Sequence, residues 1–149
     1  MVLTAHEVSV INKAKQILHS KAKETELFLS SSFSKDYWQL RLSRLTHEEM
    51  WAAWLNSGGK LIATSRIGIG TVDTVFVARR EVIRSALQHN AAMVVLAHNH
   101  PSNDAVPSQH DLELTAALKD SFSHIGVQLV DHIVVGTPGL FSFADEGLL

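Results

Sequence analysis

Apolar side chains recur along this chain with two different spacings, which together predict helices alternating with strands. Between positions 5 and 24 they return every three or four residues, as is typical of an amphipathic helix. Two further helices of more than ten residues are predicted, at 78–90 and at about 108–124. Short apolar runs predict strands at 50–56, 60–67, 74–78, 91–97, 127–135 and 140–143, the last of them at a sheet edge.

Turn residues separate these elements. Asn-Ser-Gly-Gly at 56–59 predicts a hairpin between the first two strands, and Gly68 and Gly70 are predicted to mark the next turn. Residues 29–34 are predicted to form a turn or linker, with Ser34 capping a short helix after it. Strands and helices mixed along the chain predict an α/β or α+β fold with one sheet.

Composition narrows the classes of function. A chain of 149 residues can bury a sizeable core in one domain. The net charge of −2 gives no global reason to expect nucleic-acid binding. The absence of cysteine excludes disulfides, thiolate nucleophiles and cysteine-ligated zinc. No apolar run suits a signal peptide or a membrane span, so a cytoplasmic protein without a membrane partner is expected.

Histidines cluster where the most apolar strand ends. His98 and His100 follow the run at 91–97, and a spacing of two on an extended chain places both imidazoles on one side. Asp111 falls in the first turn of the next predicted helix and can point back at them. Two imidazoles and one carboxylate are a familiar catalytic zinc set, which leaves a fourth position open for water. The alternative is a polar loop in which Ser108 and Asp111 form a helix-capping box.

Hydrolysis by a metal-activated water also needs a group that moves a proton, usually a carboxylate. Asp104 lies in the loop itself, but Glu48 and Glu49 are better placed, where polar sequence gives way to a buried strand. Because adjacent strand residues face opposite ways, only one of these two glutamates can reach the metal. The alternative is that both face solvent.

The loop resembles a known motif. His98-Asn-His100, seven further residues, then Ser108-x-x-Asp111 match the H-x-H-x7-S-x2-D pattern of JAMM (MPN+) metalloproteases. The stretch AHNHPSNDAVPSQHD is similar to the HNHPSGD-x-x-PS-x-x-D signature of the bacterial RadC family. The resemblance extends to HEEMWAAWLN, to GTVDTVFVARREVIRSALQHN and to VQLVDHIVVGTPGLFSFADEGLL. It covers about residues 35–149, which leaves 1–34 as an N-terminal helix and linker.

The resemblance implies an α/β JAMM/MPN core, similar to cytidine deaminase, with a mixed sheet flanked by helices. It implies a zinc ion held by His98, His100 and Asp111, with Ser108 donating a hydrogen bond to the oxyanion. The family pattern places the general base on Glu48. The implied function is a zinc-dependent hydrolase, either a peptidase or an isopeptidase, acting on a protein or peptide.

The sequence departs from the family in two places. Asn103 replaces the usual glycine, and asparagine is well tolerated if that position needs a positive φ. About 35 residues precede the domain, too few for the helix-hairpin-helix module of full-length RadC proteins, so a short stand-alone form is expected.

Other functions stay open from the sequence. One is a DNA-repair or recombination accessory with a non-catalytic zinc, and another is a partner-binding module with a vestigial site. The letters His-Asn-His match the HNH nuclease name by coincidence, and the missing cysteines exclude a zinc deaminase. Asp131 and His132 are assigned a structural role, with at most one facing the site. The substrate and the oligomeric state are not predicted.

Overall fold

The computed structural model describes residues 2–70, 75–101 and 104–149. The helices are α1 (Ala5–Glu24), α2 (Ser31–Leu42), α3 (Arg79–Gln88) and α4 (Gln109–Ser123), with a short 3₁₀ turn at Leu27–Leu29. The strands are β1 (Glu49–Leu55), β2 (Leu61–Gly70), β3 (Val75–Val77), β4 (Met93–Asn99), β5 (Gln128–Val135) and β6 (Leu140–Ser142). The predicted α/β fold with a mixed sheet flanked by helices is confirmed.

The strands form one six-stranded sheet in the order β3-β2-β1-β4-β5-β6. Neighbouring strands are antiparallel except β4 and β5, which are parallel. Parallel neighbours need a long crossover, which α4 provides. Because β4 lies inside the sheet, its carboxyl end opens between β1 and β5, the kind of position where ligand sites of α/β sheets collect.

Alternate residues of the strands build the two large hydrophobic cores of the described residues, one on each face, beside a small cluster of Ala105, Val134 and Phe143. One face packs against α2 and contains the fully buried Trp38. The other packs against α3 and α4 and contains Trp54, Leu96 and Phe122. Burying one large apolar side chain contributes about 1.5–3 kcal/mol, so both layers hold the sheet firmly. A histidine that continues the Leu96 side of β4 therefore emerges on the α4 face.

A bulge in β5 changes which of its residues face α4. Val94 pairs with Leu129, but the next residue of β4, Val95, pairs with Asp131, so Val130 is an extra residue. Before the bulge Leu129 faces the α4 layer. After it, His132 faces that layer instead of Asp131, because the alternation has shifted by one position.

The beginning of α2 differs from the prediction. The helix begins at Ser31, and Ser30 rather than Ser34 is its cap, accepting a hydrogen bond from the Phe33 N–H. Ser34 is instead buried within the helix, where its hydroxyl donates to the Phe28 carbonyl. Much of the predicted linker at 29–34 is therefore helical, because the serine run offers a cap earlier than expected.

The first hairpin is confirmed, but the second predicted turn begins later. Strand β2 continues through Gly68 to Gly70, so neither glycine ends the strand early as the sequence predicts. Gly68 permits a close approach of β3, since a Cβ atom there would lie 2.8 Å from the Phe76 carbonyl oxygen. The predicted strand at 74–78 is observed as β3, while position 74 and Asn103 lie outside the described residues.

Within the described ranges, no helix combines the length and the apolar character needed to cross a membrane.

Candidate metal centre

The candidate site lies where β4 ends and α4 begins. His98 is the last-but-one residue of β4, and His100 follows the strand directly. The His100 N–H donates to the Val135 carbonyl at 2.8 Å, which keeps the chain extended beside β5. Asp111 lies in the first turn of α4 and points back to the strand. All three side chains are buried, with relative exposures of 1%, 8% and 4% in chain order.

The three side chains present one atom each to a common point. His98 Nε2 lies 3.0 Å from His100 Nε2 and 3.3 Å from Asp111 Oδ2. The distance from His100 Nε2 to Asp111 Oδ2 is 3.0 Å. Ligand atoms on a tetrahedral zinc with bonds of ~2.0–2.1 Å lie about 3.3 Å apart, so the donor set and its spacing fit such an ion. The predicted ligand residues therefore come together and could bind a metal ion.

The predicted capping box is also present, so the two interpretations of the loop hold together. Ser108 Oγ accepts from the Asp111 N–H at 3.1 Å, and the Ser108 N–H donates to Asp111 Oδ2 at 2.8 Å. These two hydrogen bonds fix the Asp111 carboxylate, whose Oδ2 faces the histidines. The cap uses a lone pair of the Ser108 hydroxyl, and its proton stays available to donate.

His100 is oriented by the loop that follows it. Its Nδ1 donates to the Asp104 carbonyl at 2.8 Å, because a carbonyl oxygen can only accept. The remaining ring nitrogen of a neutral His100 is then Nε2, which faces the common point. The Asp104 carboxylate itself is exposed and accepts from the Val106 N–H at 3.1 Å.

Gly136 lets this loop approach β5. A Cβ atom added at Gly136 would lie only 2.6 Å from the carbonyl carbon of Asp104. Replacing Gly136 by alanine is expected to push the segment at 104–105 outward. The expected loss is about 1–3 kcal/mol in the free energy of unfolding, as for other overpacked sites. Urea denaturation of the metal-free protein measures this loss.

Gly58 offers a matched control for that substitution. A Cβ atom there would meet only Asn56 Oδ1, at 3.4 Å, which is ordinary contact. Gly58→Ala is expected to change the unfolding free energy by no more than about 0.5 kcal/mol. Equal stabilities for the Gly136→Ala and Gly58→Ala proteins would contradict the close approach as a constraint on the loop.

Behind His98 lies a second buried histidine. His98 Nδ1 lies 2.7 Å from His132 Nε2, and His132 Nδ1 lies 2.7 Å from Thr115 Oγ1. The Thr115 hydroxyl also donates to the Asp111 carbonyl at 2.7 Å. The ring of His132 stacks on Phe143, with centroids 4.7 Å apart. His132 thus faces the site, while Asp131 turns to Ser142 and the Ala144 N–H on the other side.

Burial and mutual contacts set the charges of these groups. Burial alone would raise the pKa of Asp111, but hydrogen bonds to His100 and His98 hold that pKa well below its usual range. Burial lowers the pKa of His98, with Asp111 opposing it. Burial, reinforced by the nearby His98, puts the pKa of His132 well below the usual value. The carboxylate is therefore ionised and both of these histidines are neutral at neutral pH, as metal ligation requires.

His100 differs from its two neighbours. Burial alone would lower its pKa, but hydrogen bonds to Asp111 and to the Asp104 backbone raise it above the usual value. The negative charge of Glu48 acts in the same direction. Because only an imidazole with a free lone pair can bind a metal ion, a cation and a proton would compete for His100 Nε2.

The two candidate glutamates face opposite sides of the sheet. Glu49 accepts from Trp51 Nε1 at 2.8 Å and lies 3.4 Å from Arg66 Nη1, on the face that packs against α2. Burial alone would raise the pKa of Glu49, but the contacts with Trp51 and Arg66 lower it, as does His47 Nε2, which lies 3.0 Å from Glu49 Oε1. Glu48 is also buried and continues the alternation of Met50, which pairs with His98. The carboxylate of Glu48 is therefore on the side of the histidines, where its charge acts on His100.

The histidine next to Asp111 is not among the three converging ligands. His110 is exposed on α4, as its position in the helix predicts. The residues at the site that the sequence does not single out for it are His132 and Thr115. The dipeptide Asp131-His132 is the available signal, but alternation alone does not say which of the two faces His98.

Known proteins are similar to this chain over nearly its whole length. A family model described as a RadC-like JAB domain matches residues 28–148. The UPF0758 protein YeeS of Escherichia coli (strain K12) is 38% identical over 148 residues, which are 99% of this chain and 100% of that protein. The UPF0758 protein YfjY of the same organism is 36% identical over 140 residues, 93% of this chain and 88% of that protein.

Some relatives are longer. The UPF0758 protein of Acidovorax sp. (strain JS42) is 39% identical over 145 residues, 97% of this chain but 61% of that protein. The chain therefore spans about three fifths of the length of such relatives. The family match and these identities lead to one conclusion: the chain belongs to the RadC-like JAB domain family.

Proposed function

We propose that this protein is a zinc-dependent hydrolase that cleaves a peptide or isopeptide bond in a protein or peptide substrate. One observation carries the proposal. Three buried ligand atoms converge at distances of 3.0–3.3 Å, and a fourth residue, the buried Glu48, lies on the same face of the sheet. A structural zinc site normally closes its coordination with four protein ligands, whereas three leave a position for water or substrate.

The chain supplies the ligands and the zinc supplies Lewis acidity. A bound zinc ion polarises a carbonyl oxygen and lowers the pKa of a coordinated water towards ~7. His98, His100 and Asp111 would hold the ion, and the anionic Asp111 offsets part of its charge. The capping box fixes Asp111, and the Asp104 carbonyl fixes His100, so the ligands are held in place before the ion arrives.

Glu48 and Ser108 then have separate tasks. Glu48 takes a proton from the attacking water and passes it to the nitrogen of the leaving amine, as a general base and then a general acid. Ser108 donates its free hydroxyl proton to the carbonyl oxygen as negative charge develops there. Its position at the start of α4 adds the positive end of the helix dipole near that oxygen.

The first test is metal dependence of the purified wild-type protein. We expect about one zinc per chain by elemental analysis, as for a three-residue catalytic site. A panel of peptides and of lysine-linked isopeptides should then include substrates that are cleaved by the zinc-loaded protein, not after chelation, and again when zinc is restored. Failure to take up added zinc would overturn the proposal, as would cleavage that survives complete removal of metal.

A further inference from the structure

The two histidines of the site obtain their hydrogen-bond partners in different ways. A carbonyl oxygen holds the proton on His100 Nδ1, and this contact alone decides its tautomer. His98 Nδ1 faces another imidazole, His132 Nε2, at 2.7 Å. An imidazole nitrogen either donates or accepts, so this contact alone does not decide where the proton of His98 resides.

The tautomer of His98 is determined by Thr115, which contacts the far side of His132. Thr115 Oγ1 lies 2.7 Å from the Asp111 carbonyl oxygen, which can only accept. The single hydroxyl proton of Thr115 is therefore committed to that carbonyl, because two oxygens at this distance repel each other without a proton between them. Thr115 Oγ1 then has only lone pairs to offer to His132 Nδ1, also at 2.7 Å.

The proton positions follow in order along the chain of contacts. His132 Nδ1 must carry a proton and donate it to Thr115. A neutral His132 then has a lone pair on Nε2, which accepts from His98 Nδ1–H. This leaves the lone pair of His98 on Nε2, the atom that faces His100 Nε2 and Asp111 Oδ2.

We propose that Thr115 and His132 are positioning residues that hold His98 in the one neutral tautomer whose Nε2 can bind a metal ion. Neither residue contributes an atom to the common point: His132 acts through His98, and Thr115 acts through His132 while its hydroxyl also donates to the Asp111 carbonyl. All three side chains in this relay are buried, with relative exposures of 0–2%, so water does not compete for these bonds. The inference rests on the metal site of the proposed function and adds how the His98 lone pair is kept on Nε2, where it can bind the ion.

Without the Thr115 hydroxyl, the preferred tautomers of His132 and His98 reverse. In a Thr115→Val protein the methyl group replaces the acceptor, and a proton on His132 Nδ1 would be buried without a partner. The proton then moves to His132 Nε2, which donates to His98 Nδ1 and leaves the proton of His98 on Nε2. The metal-facing nitrogen is thereby blocked, although every ligand residue is still present.

The direct test is nitrogen-15 NMR of the histidine rings in the metal-free wild-type protein near neutral pH. We expect His98 and His132 to carry a proton on Nδ1 only. Three lone pairs at 3.0–3.3 Å need a proton among them, so His100 should carry protons on both Nδ1 and Nε2. Thr115→Val should shift His98 and His132 to the Nε2–H form and leave His100 unchanged. A wild-type spectrum with His98 or His132 protonated on Nε2 would overturn the proposal, and it does so whether or not any variant folds.

The second test measures zinc affinity by competition with a chelator. Thr115→Val should bind zinc about 10–100-fold more weakly than wild type, the usual effect of losing an outer partner of a ligand histidine. Thr115→Ser keeps the hydroxyl and should restore affinity to nearly the wild-type value. Equal affinity of folded Thr115→Val and wild type would contradict the relay. Because neither readout involves hydrolysis, an absence of peptidase activity would refute the proposed function without touching this inference.

Discussion

Replacing Glu48 by glutamine is expected to lower the rate of hydrolysis by about 10²–10⁴-fold, the usual contribution of a general base. Glutamine keeps the shape of the side chain but cannot accept a proton from water. Zinc content should stay at the wild-type level, since Glu48 is not one of the three converging ligands. Turnover of a cleaved peptide and elemental analysis of the same preparation measure the two effects together.

Glu49→Gln is the matched control, because it makes the same chemical change one residue away. Glu49 faces the other side of the sheet, where Trp51 and Arg66 contact its carboxylate. We expect a loss of stability on the order of 1 kcal/mol from weaker hydrogen bonds there, with little change in turnover. If Glu48→Gln kept wild-type turnover while Glu49→Gln lost it, the assignment of the base would be wrong.

Replacing His100 by alanine is expected to abolish both zinc binding and hydrolysis. The substitution removes one of three ligand atoms and leaves two, which is fewer than known catalytic zinc sites use. It also deprives the Asp104 carbonyl of its donor, so the loop loses a contact that shapes the site. Metal content measured after dialysis against zinc should fall from about one ion per chain to nearly none.

His110→Ala controls for the general effect of removing a histidine from this region. His110 is exposed and adjoins Asp111, but it is not one of the three converging ligands. Its substitution should leave zinc content and turnover unchanged. A His100→Ala protein that retained a full equivalent of zinc would show that the ion binds elsewhere, and the proposed metal centre would then be incorrect.

The ligand set could be predicted from sequence because its spacing is local. His98 and His100 need only an extended strand end to share a side, and Asp111 needs only a helix that begins at the next cap. Both conditions depend on residues within the same loop. Alternation likewise separates Glu48 from Glu49 without any knowledge of the fold, although the role of Glu48 as base stays a prediction.

The part played by His132 could not be predicted in the same way. Strict alternation from Leu129 would place Asp131, not His132, on the α4 face. The extra residue at Val130 reverses this, and a bulge depends on how two strands pair rather than on the sequence of one. The sequence does not indicate Thr115 for a related reason: the partner of a threonine in the second turn of a helix is set by the strand that packs against it.

The start of α2 illustrates a limit of local signals. Several serines in succession each suit a helix cap, so the sequence alone does not identify Ser30 as the one that caps α2. The division of the chain at residue 35 stays a prediction for the same reason, since the composition of a serine-rich segment does not fix a boundary.

The locality of the ligands has a consequence for folding. His100 and Asp111 are eleven positions apart in sequence, whereas the contact between Glu49 and Asn99 spans fifty. Closing so short a loop costs little chain entropy, so an unfolded chain can keep part of its affinity for the ion. Any binding to the unfolded chain reduces the stabilisation that the ion gives to the native state. The ion thus secures the junction of β4 and α4, while the strand that carries Glu48 depends on the two hydrophobic cores for its place.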